Sequence, residues 1–568
     1  MIITLRIIQK AIITVTMSNI KILDCTLRDG GYVNNWHFGR KAIETMLFNF
    51  SKSNTDIVEC GFLTNKPYDP DYSLYNSVEQ LNELVSSDSS MNTMYVAMIA
   101  IGEREINPVL LSEADSTVLD GIRLTFHPNE IDLAFEWAEI IKSKGYKLFM
   151  QPVGTTNYTD KQFLDLLERI NKLEPYAFYI VDTLGVMYEK DLIRQVFLVD
   201  NNLKPTISLG YHSHNNFQLA FSNAQALSQY NTKRNIIIDC SANGMGRGAG
   251  NLCSELFMDY LNRTFSKNYD VLPVLEIVDR YLIPISLSNP WGYNSAYFLS
   301  ATNNCHPNYS SYLMAKHSLS MPAIGSILKQ IPQKEKRFFN KALIEKIYQE
   351  YQSNAVDDIE ILDRLRKKLD GRNVLVISPG STVKSEKGSI LKYISKKKPF
   401  VISVNFIPDY IKPNIVFVGN SVRYSELEDR LNLKKTVFTS NIKNLPKKAV
   451  CINYSELINA TDDASDSSGL MVLKLLKKAS VKSVALAGYD GFTKNPLSNY
   501  ISKNMCGAYD PILLKEKNLA ISKELKKLKE KMKIKFVTTS IYDTEKTRSD
   551  KNCDEYDSEY KAKTETKS

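Results

Sequence analysis

The sequence is poor in the features that would set it apart from ordinary globular enzymes. Its eight cysteines, at positions 25, 60, 240, 253, 305, 451, 506 and 553, contain no CxxC pair. That excludes zinc-ribbon spacing. With Cys25, Cys60 and Cys240 set inside apolar runs, it reads as the pattern of a reducing compartment. No apolar run is long enough to span a bilayer, so neither a polytopic membrane protein nor a membrane partner is expected. Charge is not gathered into a stripe: 72 basic and 63 acidic side chains leave a net +9, and Lys396–Lys398 and Lys526–Lys533 read as solvated surface. A nucleic-acid partner is therefore not expected either. Glycine and proline, 24 and 20 in 568 residues, exclude a collagen-like repeat. Only six histidines occur, which gives weight to any two that fall together.

What is present is a long globular chain, 43% apolar and 24% charged, sized for two to four domains at roughly 100–200 residues each. The expected location is cytoplasmic. Residues 1–19 are expected to form an N-terminal extension: 1–16 are apolar but carry no small-x-small cleavage site, and Met17 opens a stretch that reads as a protein start. The last segment, 546–568, almost lacks aliphatic residues and is expected to be a disordered tail.

Between them the chain repeats a strand-then-helix pattern. Apolar runs at 21–27, 56–62, 94–100, 121–126, 147–153, 177–183, 206–214 and 236–243 are continuous enough for strands buried on both faces of a parallel sheet. The intervening stretches, such as 129–145, carry helical spacing. Eight such units over residues 20–265 predict an α/β fold, a (β/α)8 barrel, in preference to a doubly wound sheet. Chemistry in such barrels collects at the C-terminal ends of the strands. Those ends carry Asp24, Arg28, Asp29, Glu59, Arg123, His127, Gln151, Asp182, His212, His214 and Asn243.

Three motifs stand out there. His212-Ser213-His214 ends a strand, and period two points both imidazoles to one face, half of a metal site. In Asp24-Cys25-Thr26-Leu27-Arg28-Asp29-Gly30-Gly31, Asp29 supplies a carboxylate ligand and Arg28 a fixed cation for an enolate oxygen or a substrate carboxylate. A two-His, one-carboxylate set suits Mn²⁺, Fe²⁺ or Mg²⁺. The glycine-rich loop Asn243–Asn251 is read as bringing Asn251 to the metal region, with phosphate binding as the alternative.

DCTLRDGG (24–31), GYHSHNN (210–216) and GMGRGAGN (244–251) together resemble the metal-dependent lyases and synthases related to 3-hydroxy-3-methylglutaryl-CoA lyase, in particular their 4-hydroxy-2-oxovalerate aldolase branch. The resemblance covers roughly residues 20–330. It implies a TIM barrel with a divalent cation, Mn²⁺ ahead of Mg²⁺, on Asp29, His212, His214 and Asn251, and Arg28 steadying an enolate. It further implies a small 2-oxo acid and an aldehyde as reactants. One departure is that the branch's histidine base corresponds here to Tyr32. His37 in the same loop is its expected substitute, and Tyr32, His127 and Glu59 are further base candidates. Alternative readings are a Claisen-type acyl-CoA synthase, which the missing Glu in the glycine-rich loop disfavours, and a degenerate barrel that carries an active second domain. A homo-oligomer is expected.

Residues 266–370 are expected to form a helical extension and connector, with His306 in a structural role in preference to one at the substrate. At 371–545 the pattern restarts, with runs at 373–382, 400–406, 415–421, 436–440, 449–454 and 483–491, predicting a Rossmann-like α/β domain. Gly380 and Ser381 lie at one strand-to-helix turn and Ser468 and Gly469 at another; both are candidate nucleotide-binding positions. The stretch from Asp466 to Met471 and the later Leu-Ala-Gly-Tyr-Asp-Gly resemble bacterial sialyltransferase-like and pterin-diphosphokinase-like domains, which implies a nucleotide or nucleotide sugar as a partner.

Overall fold

The computed structural model describes residues 19–85, 92–316, 318–458, 467–493, 495, 498–502, 505 and 511–543. The expected N-terminal extension and C-terminal tail lie outside them, apart from Asn19. The chain divides into two compact units, residues 1–310 with 333–339, and 311–332 with 340–568. The expected connector 266–370 is thus shared between the units.

The first unit is the expected barrel. Its strands are β1 (Ile20–Asp24), β2 (Ile57–Leu63), β3 (Met94–Ala100), β4 (Gly121–Phe126), β5 (Lys147–Pro152), β6 (Ala177–Asp182), β7 (Ser208–Ser213) and β8 (Ile236–Cys240). All pair in parallel, and β1 bonds to both β8 and β2, closing the ring. A two-residue strand, Leu74–Tyr75, adds beside β2. Strand burial on both faces follows from the near-continuous apolar runs: inward residues fill the barrel while outward ones pack under helices such as Ile131–Ser143.

The interior is layered. A lower apolar layer contains Leu23, Ile57, Val96, Phe149, Tyr179 and Ile237. Toward the C-terminal ends, period two brings Glu59, Arg123, Gln151, His212 and Asp239 inward in place of apolar groups, and all are buried. An apolar floor under a charged storey is what positions the site.

The second unit is an open, all-parallel sheet. Its strands are β9 (Val374–Ile377), β10 (Phe400–Val404), β11 (Ile415–Val418), β12 (Thr436–Thr439), β13 (Val450–Ile452), β14 (Ser483–Ala487) and β15 (Lys533–Phe536). The order is β13-β12-β11-β10-β9-β14-β15. The strand order therefore reverses at β9, between β10 and β14. No helix among the described residues is long and apolar enough to cross a membrane.

Candidate metal centre and cavity

The turn after β1 places Arg28 and Asp29 over the barrel axis. Cys25 O accepts from the backbone N–H groups of Arg28 and Asp29, winding residues 26–30 into a tight turn. Gly31 is required next, because a Cβ there would stand 2.1 Å from the Trp36 indole. That indole anchors the turn by donating to Arg28 O at 2.8 Å.

Asp29, His212 and His214 come together as expected, with one potential ligand atom from each within 4.8 Å of the others. The His214 Nδ1 lies 3.9 Å from the nearer Asp29 oxygen and has no hydrogen-bond partner although buried. Burial pushes the His214 imidazole down to about 3, with attraction to Asp29 only partly opposing, so its ring is neutral and keeps a lone pair. Burial would raise the Asp29 carboxyl, yet Arg28, His214 and His212 hold it far below its ordinary value. Asn251 arrives through a backbone bridge to His214. Its amide donates to Asp29 at 2.8 Å, and its Oδ1 is buried without a partner. A carboxylate, two imidazoles and an orphaned amide oxygen are the donor set of a divalent cation, and the residues fit one.

Behind these groups runs one continuous ionic chain. Arg28 Nη1 donates to Asp29 at 2.7 Å and its Nε to Glu59 at 2.8 Å. The same Glu59 oxygen accepts from Arg123 at 2.6 Å, and Arg123 also pairs with Asp239. Asp239 in turn lies 3.0 Å from His212 Nδ1. Burial would raise the Asp239 carboxyl, but Arg123 and the His212 contact hold it low. An anionic Asp239 fixes the proton on Nδ1 and leaves His212 Nε2 free as a ligand. Arg28 keeps one buried donor, Nη2, without a partner.

Above the centre lies a cavity of about 480 Å³ lined by Arg28, Asp29, Tyr32, Gln151, His212 and His214, and farther out by His127, Arg247, His306, Arg337 and Phe338. Tyr32 is at the site as expected; its hydroxyl donates to Glu103 at 3.2 Å. Burial raises its phenol, against the pull of Arg247. His37 is not at the site. Left-handed backbone at Asn35 and Trp36 (φ 55° and 63°) turns Trp36 inward, and His37 emerges exposed, its ring against Tyr72 at 4.8 Å. Asn243 also faces elsewhere, its backbone tied to Glu255 and Trp291. Asp24 and Asp182 serve their own loops: Asp24 accepts from Thr26 and Ser254, Asp182 from Val186 and Met187. Glu59 is committed to two guanidiniums and lies beneath the cavity.

Sequence reasoning missed Asp239, whose signal was an acid in the middle of the apolar run Ile236–Cys240. It also missed Arg247 and the segment 333–339, and it ranked a structural role for His306, which lines the cavity, above one at the substrate.

In the second unit three of the four candidate nucleotide positions, Gly380, Ser468 and Gly469, line a crevice of about 170 Å³ together with Ser378 and Asp490, while Ser381 is not part of its lining. The turn at Gly380 and Ser381 already holds an anion of the chain itself: the Asp490 carboxylate accepts from the Ser381 hydroxyl (3.1 Å) and the Thr382 N–H (2.8 Å).

Comparison with known proteins finds similarity over the barrel residues. Residues 19–279 match the HMGL-like family model. A 4-hydroxy-2-oxovalerate aldolase of Geobacillus genomosp. 3 is 23% identical over 274 residues, covering 47% of this chain and 77% of the relative. One from Chloroflexus aurantiacus is 25% identical over 280 residues, covering 48% and 78%. Among solved structures, the N-terminal domain of a putative aldolase from Bacteroides vulgatus is 27% identical with a TM-score of 0.43, covering 52% of this chain and 96% of that domain.

Proposed function

We propose that the barrel is a divalent-metal-dependent aldolase that cleaves, or forms, the C–C bond between a pyruvate unit and an aldehyde in a 4-hydroxy-2-oxo acid. The observation that carries this reading is the buried Asp29–His212–His214 set beside an Arg28 guanidinium with one donor left over. Asp29, His212 and His214, with Asn251 Oδ1, would hold the cation, and Mn²⁺ is the proposed metal. When bound, it supplies Lewis-acid polarisation of the 2-oxo acid.

The chain's own groups do the rest. Arg28 is fixed by Glu59 and Asp29, so its free Nη2 is aimed without further reorganisation and takes the charge that develops on the enolate oxygen. In the cleavage direction the 4-hydroxyl proton passes to the Tyr32 oxygen as the phenol proton moves along its hydrogen bond to Glu103. The electron pair of the breaking C3–C4 bond becomes the enolate, and protonation at C3 gives the pyruvate methyl group.

The test is to incubate the protein with Mn²⁺ and pyruvate in D₂O and follow the methyl protons by NMR. Loss of the signal with the wild type, and its retention with His212→Ala, is the expected result. Retention with both, with Mn²⁺ demonstrably bound, would transfer the reading to the acyl-CoA synthase alternative.

We further propose that the second unit's crevice receives a nucleotide or nucleotide sugar. It lies where the strand order reverses, the position at which open parallel sheets bind ligands. Ser468 and Gly469 begin an 11-residue helix there, and the buried Ser378 hydroxyl has no hydrogen-bond partner. Saturation-transfer NMR with UDP and CMP tests it; no transfer at millimolar nucleotide would reject the site.

A further inference from the structure

The outer end of the barrel cavity has more positive charge and more N–H donors than its own residues satisfy. Arg247, from the glycine-rich loop, has no carboxylate partner among the described residues; its Nε is buried without a hydrogen bond. Its guanidinium carbon lies 4.2 Å from the centre of the Tyr32 ring, and Nη1 is 3.4 Å from His306 Nε2. That last contact does not satisfy it. Burial, reinforced by Arg247, pushes the His306 imidazole down to about 3, so the ring is neutral with one lone pair and one N–H. The Asn308 backbone N–H already points at His306 Nδ1, 3.2 Å away. One lone pair therefore faces two donors, and the imidazole N–H is a third.

The carboxylates in the same cavity are engaged elsewhere. Asp29 pairs with Arg28, Glu103 lies against Tyr32 and Arg104, and Glu130 accepts from the His127 backbone. A second guanidinium, Arg337, is exposed at the rim, and both it and Arg247 bear on the His127 imidazole, so they share one end of the cavity. The segment carrying Arg337 is held in place: His306 N–H donates to Lys336 O at 2.8 Å and Lys336 Nζ to Asn303 O at 2.9 Å.

We propose that this end of the cavity binds an anionic group, a carboxylate or a phosphoryl, carried by the aldehyde half of the substrate, with Arg247 as its principal contact and Arg337 at the rim. The proposal rests on the aldolase reading and names its substrate class. A guanidinium fork matches both anions in the same planar way. A neutral aldehyde would leave Arg247 Nε buried and unpaired.

The experiment compares kcat/KM for addition of pyruvate to propanal, succinic semialdehyde and glyceraldehyde 3-phosphate by the Mn²⁺-loaded protein. At least one charged aldehyde is expected to exceed propanal by about a hundredfold, and the two charged arms separate carboxylate from phosphate. Arg247→Met is expected to cut the charged-to-neutral ratio at least about tenfold. Should it fail to fold, Arg337→Ala, on the exposed segment, tests the same ratio. Equal kcat/KM for all three aldehydes would overturn the inference while leaving the aldolase reading intact, since pyruvate methyl exchange needs no aldehyde. If exchange itself is absent, calorimetric titration of metal-free protein with succinate and with inorganic phosphate still decides. Binding that Arg247→Met weakens about tenfold supports the anion end; no binding, or binding the substitution leaves alone, overturns it.

Discussion

Asp239→Asn isolates one charge in the ionic chain that links both sides of the metal centre. The same oxygen of Asp239 accepts from Arg123 and contacts His212 Nδ1, while its other oxygen is buried without a partner. An asparagine with its amide oxygen in that place keeps both acceptor contacts and removes only the negative charge. Hydrogen bonds to a charged group contribute about 1.5–3 kcal/mol and neutral ones about 0.5–1.5, so two such bonds lose about 2 kcal/mol. Arg123 keeps its ion pair with Glu59, so the cost stays below the about 3–5 kcal/mol of a fully broken buried ion pair. The barrel is therefore expected to lose about 2–3 kcal/mol. The measurement is clean because all three tryptophans, Trp36, Trp137 and Trp291, belong to the barrel unit, so fluorescence-detected urea unfolding follows that unit alone. With His212 no longer held by an anion, Mn²⁺ affinity, read by calorimetry, is expected to fall about 10- to 100-fold. A folded variant with the wild-type unfolding midpoint and undiminished Mn²⁺ binding would refute the reasoning.

Three more perturbations test other parts of the site. Gly246→Ala sets a Cβ 2.6 Å from Asn251 Nδ2, displacing the amide from Asp29; weaker Mn²⁺ binding is expected, and unchanged affinity would remove Asn251 from the ligand set. His37→Ala is expected to leave pyruvate methyl exchange within about twofold of wild type, since the residue is exposed outside the cavity, and a larger loss would restore it as a base candidate. His306 is held down to about 3 by burial, then Arg247, His214 and His127, against about 6.5 in the unfolded chain. The unfolded state thus binds the extra proton between those values, and His306 makes the barrel lose stability as pH falls below about 6.5, by up to about 1.4 kcal/mol per unit. His306→Gln should flatten the slope of unfolding free energy between pH 6.5 and 5; an unaltered slope would contradict it.

The barrel was legible because its strands are buried on both faces, which writes them into the sequence as near-continuous apolar runs. In the second unit the same signal marked β9 to β14. It failed for β15, where Lys533 and Lys535 alternate along an edge strand with one paired side. At the site, the juxtaposition of Asp29, His212 and His214 was legible, since strand period and the turn after β1 suffice to bring them together. His37 was misplaced because nothing in the local composition announces left-handed backbone at both Asn35 and Trp36. Arg247 and Arg337 reach one end of the cavity only through tertiary structure, across a separation in sequence that no periodicity spans.

The segment 333–339 also constrains how this protein is made and recombined. It belongs to the barrel unit, but 22 residues of the second unit, 311–332, precede it in the chain. During synthesis the triad, the ionic chain and the glycine-rich loop have all been translated long before Arg337 and Phe338 exist. A fragment ending at residue 279, where the family match stops, has every strand of the barrel yet lacks His306, Arg337 and Phe338 of the outer cavity wall. Neither a gene fusion nor an expression boundary at 310 would transfer the complete cavity. The smallest transferable coding unit runs through residue 339 and carries part of the neighbouring domain with it.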